Sequence, residues 1–93
     1  MSEVVVAVIG ELDAASVADW RDRLDALIER NDSDVLVELG EVTFIDSSGL
    51  GLLVGVHKRA LQQGCALQFT RPPDQCWRAF TITALDEVLP FVP

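Results

Sequence analysis

Ninety-three residues, 49% apolar and 24% charged, make a chain the size of a single domain with one modest core. Seven basic residues against fifteen acidic give a net charge of −8, and Lys58 is the only lysine. A surface of that sign is wrong for neutralising nucleic-acid phosphates and for adhering to an anionic membrane.

Two cysteines, Cys65 and Cys76, and one histidine, His57, fall short of a disulfide scaffold or a zinc site. Met1-Ser2-Glu3 runs straight into Val4 with no charged-then-apolar leader. The longest apolar run, Val4–Ile9, is far from the ~18 residues needed to span a bilayer. A reducing, cytoplasmic setting without membrane insertion is therefore the expectation. No repeat, linker or low-complexity stretch divides residues 1–93, so one domain is expected.

In chain order, the β-branched run Val4–Ile9, closed by Gly10, predicts a strand covered on both faces. Asp13 or Ser16 then caps a helix reaching about Arg30, with Val17, Trp20, Leu24, Leu27 and Ile28 forming its apolar stripe. Asn31–Asp34 is a turn cluster. Val35–Leu39 predicts a second strand, and Val42–Ile45 a short extended segment beyond it. Asp46–Gln63 reads as a helix with Leu50, Leu53, Val54, His57, Ala60 and Leu61 inward, stopped by Gly64. Cys65–Thr70 predicts a third strand. Pro72-Pro73 starts a last helix near Asp74, turning Cys76, Trp77 and Phe80 to the core. Leu85–Phe91 reads as an apolar tail or a final edge strand. This alternation predicts an α/β fold on a mostly parallel sheet.

Glu11, Asp13 and Asp46 directly follow predicted strands, where sites of α/β folds gather. Asp46 is placed to cap its helix, leaving Ser47 and Ser48 in the first turn. Serine and aspartate are good helix starters, so capping and a functional serine both fit that spacing. Gly49, Gly51 and Gly55 then fall inside one helix, each costing up to ~1 kcal/mol relative to alanine. Gly51 and Gly55 share a face with Lys58 and Gln62, as a surface for close approach by another backbone would require. Gly49 suits internal packing better.

Catalysis is disfavoured. His57 lies ten residues from Ser47 on the same helix, roughly 15 Å along the axis, where a base needs ~3 Å. No Gly-x-Ser-x-Gly elbow is present. Gly49-x-Gly51 alone makes a poor phosphate loop, so nucleotide binding is the weakest reading. A Mg²⁺-assisted phospho-acceptor role for Asp46 needs a further βα unit and a lysine after a late strand, both missing. No cofactor is implied.

Gly10-Glu11-Leu12-Asp13, the segment Val42-Thr43-Phe44-Ile45-Asp46-Ser47-Ser48-Gly49-Leu50-Gly51 and a helix ending in Gln63-Gly64 together resemble the STAS domains of bacterial anti-sigma factor antagonists. The resemblance covers nearly the whole chain. It implies a small fold with a mixed sheet of about four strands and helices mainly on one side. It implies a non-enzymatic protein that binds an anti-sigma factor, itself a serine kinase of the histidine-kinase-like ATPase type, and so frees a sigma factor. Ser47 becomes the residue phosphorylated to switch binding off, and a serine phosphatase resets it. Asp13, Asp46, Ser47, Ser48, Gly49, Gly51 and Gly55 become the partner-binding surface. Related domains serve in stressosomes or as small subunits of lipid-transport ATPases, often with threonine at the position of Ser47. Family members usually carry a strand ahead of Val4–Ile9 and a longer helix after Leu85, so the resemblance implies either a minimal version of the fold or an open sheet edge that a partner covers.

Overall fold

A computed structural model describes residues 2–93. The elements follow in the order β1 (Glu3–Leu12), α1 (Val17–Arg30), β2 (Asp34–Ile45), α2 (Ser47–Gln63), β3 (Leu67–Phe69), α3 (Asp74–Ile82) and the single-turn α4 (Leu85–Val88). The sheet has strand order β1-β2-β3, and both pairings are parallel. The α/β class is therefore as expected. The mixed sheet of about four strands is instead three parallel strands, with one parallel bridge, Phe69 to Phe91, at the position of a fourth.

A single cluster collects the buried residues of strands and helices alike. Strand geometry sends alternate side chains to opposite faces. Val8, Leu12, Val35, Val37, Leu39, Val42, Leu67 and Phe69 thus point into the core, where Leu24, Ile28, Leu52, Leu53, Val56 and Phe80 meet them. The other face is bare: Val5 is 51% and Ile9 60% exposed, beside the exposed Glu3, Glu11, Glu38 and Gln68. This corrects the doubly covered first strand, because a β-branched run fits a pleated surface whether or not its second face is roofed.

Two further corrections concern strand length. The first strand does not stop at Gly10, which adopts φ 89° at a register shift and lets pairing continue to Leu12. Val35–Leu39 and Val42–Ile45 form one twelve-residue strand, β2. Its pairing with β1 slips between Ala7 and Ile9 and again between Gly10 and Glu11. Those bulges place Gly40 and Glu41 both on the exposed side, which breaks the period-two pattern.

The helices keep their expected bounds. In α2 the inward face is Gly49, Leu52, Leu53, Val56 and Ala60, while Leu61 is 68% exposed, against expectation. Gly64 closes this helix in the left-handed region at φ 68°, its N–H reaching the carbonyls of Ala60 and Leu61. Cys76 and Phe80 are buried and Trp77 half-buried, with Phe91 packed edge-on to both aromatic rings. The tail expected as an edge strand is spent on α4 and the Phe91 bridge.

Candidate functional site: the corner before helix α2

Leu12 and Ile45 are register partners at the ends of neighbouring parallel strands. The residues that follow them, Asp13 and Asp46, therefore leave the sheet side by side. A hydrogen bond of 3.3 Å from the Asp46 amide to the Leu12 carbonyl ties the two exits together.

Asp46 is the N-cap of α2: its Oδ1 accepts from the amides of Ser48 at 2.9 Å and Gly49 at 3.2 Å. Asp13 does similar work in the preceding loop. Its Oδ1 accepts from the amides of Ala15 at 3.0 Å and Ser16 at 3.2 Å. The Ser16 hydroxyl donates to the Glu11 carbonyl at 2.8 Å, so the loop is fixed from both ends. Of the two candidate caps for α1, Ser16 occupies the position, but neither side chain caps the helix: the Asp13 carboxylate accepts from amides that precede Val17.

Ser47 is the first residue of α2 and is exposed; Ser48, one residue on, is half-buried. Among the described residues the Ser47 hydroxyl makes no hydrogen bond, so it is neither a cap nor a structural bridge. Capping at this corner belongs to Asp46, which leaves the serine hydroxyl uncommitted.

Gly49 belongs to the packing. A Cβ there would overlap the Leu12 carbonyl oxygen and come within 2.8 Å of Ile45 Cγ1. Gly51 and Gly55 are the opposite case: both are exposed, and a Cβ on either would meet nothing within 4 Å. At 100° per residue Ser47, Gly51, Gly55, Lys58 and Gln62 fall within one stripe of the outer face of α2. His57 sits on the same unbroken helix as Ser47, half-buried, so no side chain at the corner can serve that hydroxyl as an imidazole base.

Among the described residues no three of His, Cys, Asp and Glu are placed to hold a metal ion, so Glu11, Asp13 and Asp46 do not form such a group. Both cysteines are free and buried. Burial pushes both thiols up, and the Asp34 charge adds to the effect at Cys65. No helix among the described residues is long and apolar enough to cross a membrane.

The sequence reading missed a groove of about 300 Å³ beside this stripe. Arg21 and Asp25 of α1 line it, with Gly55, Lys58, Arg59 and Gln62 of α2. Lys58 and Gln62 were visible as neighbours of the glycines on one helix. The contribution of Arg21 depends on how two helices pack, and no local pattern carries that.

The fold, with its aspartate-capped and glycine-faced helix, is that of a small α/β domain. The chain belongs to the STAS family: it matches the family described as "Mlab, STAS domain" over residues 1–92. It is 32% identical over 88 residues to the anti-sigma-B factor antagonist of Bacillus subtilis (strain 168), covering 95% of this chain and 80% of that protein. The anti-sigma-B factor antagonist of Staphylococcus aureus (strain NCTC 8325 / PS 47) is 34% identical over 84 residues, covering 90% of this chain and 78% of its own. Among solved structures, a candidate anti-sigma factor antagonist of Thermotoga maritima superposes with a TM-score of 0.83 at 22% identity, over 96% of this chain and 77% of that one.

Proposed function

We propose that this STAS chain is an anti-sigma factor antagonist whose binding is switched by phosphorylation of Ser47. Unmodified, the Ser47 corner and the Gly51/Gly55 face dock on an anti-sigma factor that is also a serine kinase of the histidine-kinase-like ATPase type, and a sigma factor is released. The kinase then phosphorylates Ser47 and ends the interaction, and a serine phosphatase restores it. The protein acts in the cytoplasm as a binding partner, not as an enzyme. The anti-sigma-B factor antagonists at 32–34% identity support the role. One observation carries the site: Ser47 stands exposed at the start of α2, its capping task already taken by Asp46.

Electrostatics make such a switch effective without refolding. A phosphoserine adds about −1.5 to −2 charges, here next to Asp46 and near Asp13. Like charges forced together in an interface cost several kcal/mol. A penalty of ~3 kcal/mol weakens binding more than a hundredfold at 1.4 kcal/mol per decade. In the free protein the N-terminus of α2 stabilises the same phosphate, which favours release.

Ser47→Ala is expected to fold, to keep binding the kinase and to resist inactivation by it, whereas Ser47→Asp binds poorly. Incubation with ATP and the cognate kinase, followed by phosphopeptide mapping, checks the site; equal labelling of Ser47→Ala and the parent would overturn it. The STAS fold leaves one second reading, a constitutive subunit of a lipid-transport system, as the resemblance to STAS domains also implies. Mass spectrometry of protein from its native host separates the two, since only the switch requires a phosphoserine at position 47.

A further inference from the structure

In a chain of net charge −8 the cations are scarce, and most are engaged. Arg30 pairs with Asp32 at 3.0 Å, and Arg71 pairs with Asp74 at 3.7 Å while lying over the Trp77 ring. Arg23 lies over Trp20, and Arg59 is shared between Asp25 and Glu29. Among the described residues that leaves Arg21, Lys58 and Arg78 with neither an ion pair nor an aromatic partner, and two of these three line the α1–α2 groove. The groove stays open because Gly55 brings no side chain into it. From Ser47 to Gly55 is eight residues, about 12 Å along the helix.

We infer that this groove binds the carboxylate side chains of an acidic peptide segment, held by Arg21 and Lys58 with Gln62 as a further hydrogen-bond donor. The choice of a carboxylate over a phosphate follows from Asp25 in the lining. It repels a dianion more strongly than single charges, and Asp25 and Glu29 already hold Arg59, so two cations remain to be matched. The inference rests on the proposed docking face only in naming a polypeptide as the occupant. It gives that face a contact whose sign is opposite to the charge of the chain as a whole, which fixes where along α2 a partner sits.

The test uses the full chain and no kinase. ¹⁵N-labelled protein is titrated with acetyl-hexaglutamate amide in one arm and with inorganic phosphate in the other. Hexaglutamate is expected to shift the amides of Arg21, Gly55, Lys58, Arg59 and Gln62 together in a saturable way. The double variant Arg21→Ala/Lys58→Ala is expected to bind about tenfold more weakly or worse, and Arg78→Ala like the parent. Gly55→Leu, which blocks the groove without touching a charge, is expected to lose binding as well and covers the case in which the double variant is unstable. Absence of localised shifts, an undiminished affinity in the double variant and in Gly55→Leu, or tighter saturation by phosphate than by the peptide overturns the inference. The kinase assay on Ser47 is independent of all these readouts, so either idea can fail alone.

Discussion

On the inner side of α2, Gly49 is buried against the Leu12 carbonyl and the Ile45 side chain, where a methyl group has no room. On the outer side, Gly51 and Gly55 are exposed, and a Cβ on either meets nothing within 4 Å. The backbone cost is the same on both sides, up to ~1 kcal/mol per glycine relative to alanine. Only the inner glycine recovers it within the fold, by letting the helix close onto the ends of β1 and β2. The outer two recover nothing inside this molecule. A helix that carries such a cost on one face, continuous with an uncommitted serine, is what the proposed docking surface requires.

The largest expected effect breaks the inner side. Gly49→Ala sets a Cβ against a backbone oxygen, which cannot rotate away as a flexible side chain would. A loss of about 3 kcal/mol is expected, the upper range for overpacking. At roughly 4 °C or more per kcal/mol for a chain of this size, that lowers Tm by roughly 12 °C or more. Thermal and urea unfolding measure it. Unchanged stability would show that α2 slides on the sheet, and the contrast between its two sides would lose its structural half.

Next in size is the cap. Asp46→Ala removes the acceptor for the Ser48 and Gly49 amides and is expected to cost about 1 kcal/mol. Asp46→Asn keeps an acceptor and is expected to stay within a few tenths of the parent. Because asparagine is neutral, the pair separates two roles of the residue. If Asp46→Asn is stable yet its phosphorylated form still binds the kinase, the negative charge beside Ser47 contributes to the switch. If phosphorylation inactivates it as fully as the parent, the carboxylate serves the helix alone.

What could be read from the sequence follows from how local each feature is. Asp46, Ser47, Gly49, Gly51 and Gly55 lie within ten consecutive residues, and helix geometry alone sorts them into cap, exposed hydroxyl, inner glycine and outer stripe. The bounds of α1 and α2 were legible for the same reason, through the Val17–Ile28 stripe, the Asp46 cap and the Gly64 stop. The misses are tertiary. Gly10 reads as a strand end, yet its positive φ serves a register shift between two strands. The bulges that put both Gly40 and Glu41 on the exposed side made one strand look like two. Val5 and Ile9 are chemically fit for burial, and they stay bare because the buried helix residues gather with the other face of the strands. Arg21 joins Lys58 through helix packing, so the groove has no signature along the chain.

The smallest effect has the opposite sign and sharpens the outer half of the comparison. Gly51→Ala replaces an exposed glycine in the second turn of α2 by the best helix former, with nothing within 4 Å of the new methyl group. Stability is expected to rise by about 0.5–1 kcal/mol, partly through a less flexible unfolded chain. Affinity for the kinase is expected to fall, because the methyl occupies the space through which a second backbone approaches. Unfolding curves and a binding titration on the same protein give both numbers. A variant that gains stability and docks as well as the parent would mean that the bare stripe admits no close contact, and that docking runs through the Ser47 corner alone. A gain in one property matched by a loss in the other is the result that ties the glycines to the partner, since no contact within the chain accounts for keeping them.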